Sequence, residues 1–179
     1  LKSFPAKISL ILLVLLIISC NATKKVKEGQ HLLVKNNILE NGERIKNRTI
    51  YNQLYQEPNV KLPLLGIPLK LHIYNIANPN PDTTFYNWLH KKPKREERLI
   101  KFLSKKQVEK LGQSYVEFNE FLEETGEAPV IVSKQKTERS SNRLKAWYWN
   151  HGWFNAETDF KIEKEKNKRA KVDYFIKPH

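Results

Sequence analysis

The clearest pattern in the chain is a strict alternation of apolar and polar residues near its end. Residues 154–163 alternate, and residues 169–177 alternate again after a polar turn at 164–168. A period of two predicts two strands joined as a hairpin, with one buried face and one solvated face. The residues predicted to face the core are Phe154, Ala156, Thr158, Phe160, Ile162, Ala170, Val172, Tyr174 and Ile176.

Helical periodicity precedes this hairpin in two segments. Between Glu96 and Glu124 apolar residues recur every three or four positions, which predicts an amphipathic helix, and Gly112 is a weak point where it could divide in two. Residues 134–150 predict a second helix, and Gly152 stands where a left-handed helix end favours glycine. The expected inner faces are Val108, Leu111, Tyr115, Phe118 and Leu122 in the first segment, and Leu144, Trp147 and Tyr148 in the second.

Shorter elements come earlier in the chain. Residues 32–39 predict a strand with Leu32, Val34 and Ile38 on one face, followed by a turn at residues 41–42. Residues 48–56 predict a short helix, and its expected inner residues are Ile50, Leu54 and Tyr51. The element order becomes strand, helix, insertion at about 60–130, helix, strand, strand. This order predicts an α+β fold with a small three-stranded sheet packed by helices.

An aliphatic segment at residues 62–74 interrupts these regular patterns. It contains Pro63, Gly66 and Pro68, so neither a long helix nor a regular strand fits it. Two interpretations stay open at this point. The segment is either an arm that packs over part of the domain or a loop that lies on a membrane surface.

The first twenty residues have the pattern of a secretory signal peptide. Lys2 and Lys7 precede an apolar run at residues 8–18, and Ser19–Cys20 follow it. The run is too short for a membrane-spanning helix, which needs roughly 20 residues. Its end resembles the lipobox of a bacterial lipoprotein, with cleavage before Cys20 and a lipid on that residue. An ordinary signal peptide with an incidental cysteine and a buried N-terminal helix are the alternatives. Because Cys20 is the single cysteine, no internal disulfide is expected.

The composition narrows the class of protein without naming a chemistry. Thirty-two Lys and Arg against 19 Asp and Glu give a net charge of +13, which suits an anionic partner, a membrane surface or a solvated face. Glutamates interrupt most basic runs, and no nucleic-acid-binding fingerprint accompanies them. The five histidines have no ligand spacing and no catalytic motif is present, so we expect no enzyme activity, metal or cofactor. The one cluster that could suggest a carbohydrate platform, better explained by core packing, is Trp147, Trp149, Trp153 and Phe154.

Four local sequences give the chain a family resemblance. They are residues 29–36, 88–98, 125–131 and 150–156, the last with an N-x-G-aromatic-x-x-A turn. In their order, these sequences resemble a POTRA domain of the BamA/TamA-like outer-membrane assembly proteins, and specifically the lipidated TamL-type members of Bacteroidetes-like bacteria. Such proteins carry several POTRA domains and then a transmembrane barrel. The resemblance therefore implies that this chain is the N-terminal piece of a longer protein.

The resemblance also implies a domain plan and a function. The plan is a signal peptide at 1–19, a lipidated tether at 20–30, a POTRA-like domain at 31–177 and the start of a link to a next domain at 178–179. The implied function is non-enzymatic: a periplasmic module, anchored to the outer membrane by a palmitate-type lipid on Cys20, that binds unfolded outer-membrane protein clients or assembly and translocation partners. Nucleic acid is not an expected partner.

The resemblance further places the partner-binding surface on the second strand of the sheet, where an extended client adds by β-augmentation. The candidate residues are Asn155, Glu157, Thr158, Asp159, Lys161 and Glu163. Charges at such an edge also guard it against aggregation, which is the simpler interpretation of each one. Two alternative functions stay open: a structural tether for a fixed partner, and a lipid- or carbohydrate-binding lipoprotein built around residues 62–74.

Overall fold

The computed structural model describes residues 22–179, so the predicted signal peptide and Cys20 lie outside the described residues. The described chain divides into two compact units. Unit 1 comprises residues 22–68 and 129–179, and unit 2 comprises residues 69–128. Within the described range, no helix is both long and apolar enough to span a bilayer.

Unit 1 contains a four-stranded mixed sheet and two helices, which confirms the predicted α+β class. The elements of unit 1 are β1 (Leu32–Glu40), β2 (Glu43–Arg44), α1 (Arg48–Tyr51), α6 (Lys134–Asn150), β3 (Glu157–Glu165) and β4 (Arg169–Lys177). The sheet order is β2-β1-β4-β3, with β1 parallel to β4 and β3 antiparallel to β4.

The sheet has four strands rather than the predicted three, and the additional one is the two-residue strand β2. It pairs with the end of β1 across the turn at Asn41 and Gly42, whose φ angles are 51° and 87°. Two consecutive positive φ values are typical of the tight hairpin turn that Asn-Gly favours. The predicted turn is therefore correct, and β2 follows from it.

Helix α6 packs on the hairpin and forms the core of unit 1 with it. Leu144 is fully buried and Tyr148 nearly so, while Trp147 is only half-buried. The buried residues in the first half of α6 are small, namely Thr137, Ser140 and Ser141. The sheet residues of this core include Ile38, Ala156, Val172, Tyr174 and Ile176.

Two inward-facing predictions in the strands are wrong. Phe154 is 61% exposed and precedes β3, because a turn in which Trp153 N–H donates to Tyr148 O delays the strand until Glu157. In β1 the register shifts between Leu33 and Lys35, so Leu33 rather than Val34 reaches the core. An irregularity of this kind changes which side of the sheet the following residues face.

Unit 2 lies within the predicted insertion, and all of its regular elements are helices. Its longest helix, α5 (Lys105–Thr125), is capped by Ser104 and Gln107, which satisfy each other's backbone N–H groups in a capping box. The division of the Glu96–Glu124 segment into two helices therefore occurs at residues 103–104, and Gly112 lies within an unbroken helix. The helices of unit 2 are α2 (Leu69–Ile76), α3 (Pro81–His90), α4 (Arg95–Phe102) and α5 (Lys105–Thr125).

The predicted inner face of α5 is only partly correct. Val108 and Leu122 are buried as expected, but Leu111 is 45% exposed and Phe118 56% exposed. Their places are taken by Gly112 and Asn119. Asn119 accepts the backbone N–H of Asn78 at 2.7 Å, so a satisfied amide lies where an apolar residue was expected.

The segment at residues 62–74 forms a loop followed by the beginning of a helix. Residues 62–67 form a small closed loop, in which Leu62 N–H donates to Ile67 O and Gly66 N–H to Leu62 O. Leu64 at its tip is 99% exposed. Helix α2 then begins at Leu69 and buries Leu71 completely, so the segment ends in a short helix, consistent with the expectation that no long helix fits it.

Candidate functional site: the outer edge of β3

Strand β3 forms one edge of the sheet, and no described strand pairs with its outer side. The opposite edge is better covered. There β2 pairs with the end of β1, and residues 130–132 exchange backbone hydrogen bonds with the beginning of β1, through Leu33 N–H to Val130 O and Val132 N–H to His31 O. The nine-residue β3 is therefore the longest uncovered backbone edge in unit 1.

Hydrogen-bond parity identifies the outward backbone groups of β3. The C=O of Ile176 accepts from Asn41 N–H, so even-numbered residues of β4 turn their backbone groups toward β1. Odd-numbered residues of β4 then face β3, where they oppose odd-numbered partners such as Asp159–Phe175 and Lys161–Asp173. The edge groups are consequently the N–H and C=O of Thr158, Phe160, Ile162 and Lys164.

The side chains of β3 point alternately to the two faces of the sheet, one packed against α6 and the other solvated. Thr158 is half-buried and exchanges hydrogen bonds with Ser141 of α6, at 3.2 Å to its hydroxyl and 3.1 Å to its carbonyl. Four of the six candidate residues, all charged, lie on the solvated face: Glu157, Asp159, Lys161 and Glu163. Asn155 is exposed and precedes the strand.

Ion pairs join the charges of this solvated face. Lys161 Nζ lies 2.7 Å from Glu163 Oε1, which raises the pKa of the lysine and lowers the pKa of the glutamate. Lys171 of β4 pairs with Glu165, which raises the pKa of Lys171. Because these groups are exposed, the pairs contribute little to stability and mainly order the face.

Asp159 carries the feature of the edge that sequence reasoning missed. Its Oδ1 accepts the outward N–H of Phe160 at 2.8 Å, so a carboxylate occupies one of the edge groups. A strand that added along β3 would have to displace this contact. An aspartate in the middle of a predicted strand is unusual, and this was the one signal available from the sequence.

A shallow groove lies beside the beginning of β3. It has a volume of about 560 Å³ and is lined by Lys145, Glu157, Thr158, Asp159, Phe175 and Lys177. Phe175, at 37% exposure, gives the groove its apolar floor between charged side chains. The groove could accept a side chain of a segment lying along β3.

Among the described residues, the aromatic cluster and the metal-binding residue types considered in the sequence lie outside the β3 edge or form no site. Trp147 stacks on His151 at 3.8 Å between ring centroids, and Trp149 meets Phe154 edge-on at 5.1 Å. In the part of the chain that the structure describes, no three His, Cys, Asp or Glu residues come together as a metal site.

Comparison with known protein families finds a match to this chain. Residues 101–179 match the sequence model of the POTRA family, described as surface antigen variable number repeat. The match includes α5, α6 and the hairpin, and it covers somewhat less than half of the chain. The chain matches no curated protein and no solved structure.

At this coarse level the match supports a POTRA module of the BamA/TamA type. POTRA domains are non-catalytic protein-interaction modules, found in outer-membrane protein assembly or translocation factors. In BamA/TamA-like proteins they form the periplasmic part of an outer-membrane protein.

Proposed function

We propose that this protein is a non-enzymatic POTRA module that binds extended client chains by strand addition along β3. The observation that carries the proposal is the uncovered edge of β3, with the backbone groups of Thr158, Phe160, Ile162 and Lys164 directed away from β4. An extended segment satisfies such groups through main-chain hydrogen bonds, and this mode is tolerant of client sequence. Tolerance of sequence suits a factor that handles many unfolded outer-membrane proteins.

The solvated face of β3 would select among clients. Glu157, Asp159 and Glu163 outnumber Lys161 among its charged residues. Side chains of an added strand lie beside these residues, since neighbouring strands are separated by about 4.8 Å. Clients with basic residues at alternate positions are expected to bind better than acidic ones.

The test replaces Thr158 by proline, because this substitution removes an edge N–H and leaves every bond of β3 to β4 in place. Proline is tolerated on edge strands when its missing N–H faces solvent, so the variant should fold. We expect binding of a synthetic peptide of alternating valine, threonine and lysine to weaken by at least about fivefold, because one hydrogen bond contributes ~1 kcal/mol. Fluorescence anisotropy of the labelled peptide measures the change.

Thr158→Val is the matched control, because it removes the hydroxyl contacts to Ser141 and keeps the edge N–H. It should lose some stability and bind the peptide as the unchanged protein does. If a folded Thr158→Pro protein bound the peptide with unchanged affinity, strand addition at β3 would be refuted.

We further propose that Cys20 carries a lipid that anchors the mature chain to the outer membrane, with residues 31–177 forming the POTRA-like domain in the periplasm. The support is the basic, apolar and small-residue order of residues 1–20. Two or more acyl chains on one residue give a stable anchor. A Cys20→Ser protein that still incorporated labelled palmitate would contradict this assignment.

A structural tether that recognises one folded partner is the second candidate function. The contact of Asp159 with Phe160 N–H favours it, because this contact blunts the edge against indiscriminate pairing. Photo-crosslinkers placed along residues 154–163 separate the two functions. Many unfolded products support client binding, and a single folded product supports the tether.

The lipid- or carbohydrate-binding alternative has one observation in its favour. The loop at residues 62–67 presents Leu64 fully to solvent and Leu65 at 60% exposure. Lipid that copurified with the folded protein and was lost in a Leu64→Ser variant would support this alternative.

A further inference from the structure

Helix α4 of unit 2 presents a basic face with a single aromatic residue on it. Lys94, Arg98, Lys101 and Phe102 recur at the three- and four-residue spacing that places side chains on one side of a helix. All four are exposed, and Phe102 is 91% exposed, the most of any aromatic residue in the described chain. Lys105 and Lys106 stand at the start of α5, after the break between the helices at Leu103 and Ser104. We name these six residues the α4 basic face.

Helix α4 is held only lightly to the rest of unit 2. Its inner residues Leu99 and Ile100 are half-buried, and none of its residues is fully buried. At its first turn the Arg95 guanidinium lies over the Trp88 ring, 4.9 Å from the centroid, and donates to Trp88 O. An isolated eight-residue helix is unstable in water, so α4 depends on its contacts with neighbouring residues. Since these contacts are few, binding to an external surface would stabilise the helix further.

The order of charges along α5 does not serve the stability of that helix. Residues 91–110 hold nine basic and three acidic residues, whereas residues 111–128 hold five acidic and no basic residues. Helix α5 therefore begins with Lys105 and Lys106 and ends with Glu123 and Glu124. This order is opposite to the one that the helix dipole favours. Among the described residues, no carboxylate forms a salt bridge with any cation of the α4 basic face.

We propose that the α4 basic face is an interfacial binding surface for an anionic lipid bilayer. Phe102 inserts among the acyl chains, and the surrounding lysine and arginine side chains pair with lipid phosphates while their methylene stems lie against the apolar region. Exposure of the Phe102 ring to water is unfavourable, and so is the mutual repulsion of the cations around it. An anionic membrane surface relieves both, because the ring enters the acyl region and the cations pair with phosphates. The surface acts independently of any lipid on Cys20, and such an anchor would add a second membrane contact.

The same cations could in principle attract nucleic acid, but the arrangement favours a membrane. Phe102 projects from a convex helix face, whereas single-stranded nucleic acid is bound in basic grooves by several stacking aromatic side chains. Tyr86 is partly engaged with His90 at 4.1 Å between ring centroids, and Trp88 with Arg95. Phe102 has no recorded ring contact within the described residues.

The test uses a polypeptide of residues 22–179, which retains the described helices, strands and core and lacks the apolar run at 8–18. Sedimentation with vesicles of equal parts phosphatidylcholine and phosphatidylglycerol measures its partitioning. In the Lys101→Gln/Lys105→Gln variant we expect partitioning to fall by about tenfold or more, because each basic residue near an anionic surface contributes roughly fivefold. Phe102→Ser should lower partitioning several-fold while leaving the net charge unchanged.

Two further variants make the result decisive. Lys134→Gln/Lys166→Gln removes the same charge from exposed lysines of unit 1 and should change partitioning by less than about threefold. Lys101→Arg/Lys105→Arg keeps the charge and should bind like the unchanged protein, which separates loss of charge from loss of fold.

Three outcomes would overturn the proposal. The first is equal loss in the unit 1 control, which would mean that net charge alone drives binding. The second is unchanged partitioning in Phe102→Ser beside a loss in the lysine pair, which would mean that no residue inserts. The third is binding of a single-stranded DNA oligonucleotide more tightly than vesicles with the same sensitivity to both variants, which would assign the surface to nucleic acid.

Discussion

Strand β4 and helix α5 carry equally regular apolar patterns, yet only β4 buries every residue that its pattern selects. In β4 the four predicted inner residues, Ala170 through Ile176 at every second position, are at most 1% exposed. In α5, Leu111 and Phe118 from the predicted stripe are about half exposed, while Gly112 and Asn119 beside them are buried.

The difference between the two regions follows from their periods. Successive strand residues point to opposite faces, so one alternation leaves a single choice of core face. Successive helix residues turn by about 100°, so a small rotation exchanges one apolar stripe for its neighbour. Helix α5 is rotated so that Gly112 meets the Phe85 ring, and this rotation leaves Leu111 beside a groove of about 510 Å³ lined with Phe85, Trp88 and Tyr115.

The largest expected effect sharpens the contrast between the faces of β4. Ile176→Ala should reduce the free energy of unfolding by about 3 kcal/mol, because it opens a cavity beneath α6. Phe175→Ala, its neighbour on the solvated face, should cost less than about 1 kcal/mol. Urea unfolding followed by hydrogen exchange of the β1 and β4 amides measures both. Equal losses at the two positions would contradict the assigned faces.

A smaller effect tests the rotation of α5. A Cβ atom at Gly112 would lie 2.8 Å from Phe85 Cε1, so Gly112→Val should force the ring to move and cost about 1–3 kcal/mol. Gln113→Val, one residue along on the exposed side, should change stability by less than about 0.5 kcal/mol. Amide exchange in α5 reports both variants. A Gly112→Val protein with greater protection than the parent would mean that Leu111, not Gly112, faces Phe85's helix.

The smallest effect concerns where α5 begins. Ser104 accepts the N–H of Gln107 and Gln107 accepts the N–H of Ser104, so Ser104→Ala should destabilise the helix by about 1 kcal/mol. Ser114→Ala makes the same substitution inside the helix and should be neutral or slightly stabilising. Far-ultraviolet circular dichroism during thermal unfolding compares the two. Identical curves would place the start of the helix elsewhere.

The candidate edge was predicted in outline, and its details required neighbours in space. The resemblance to POTRA domains predicted that the strand after α6 lies at an edge, and β3 does so. The sequence pattern alone could not show which backbone N–H and C=O groups of β3 point outward, because this depends on which strand lies on each side of β3. The hydrogen bond from Phe160 N–H to Asp159 and the delayed start of β3 at Glu157 likewise depend on the turn after α6.

By itself, the sequence determined the elements whose signals are local. Helix α6, the hairpin, the Asn41–Gly42 turn and the left-handed Gly152 follow from periodicity and backbone preference, which act over a few neighbouring residues. The pairing of β1 with β4, the buried side of α5 and the exposure of Phe102 were decided only by the tertiary structure. Each of these depends on segments distant in sequence, and no local pattern records which of them meet.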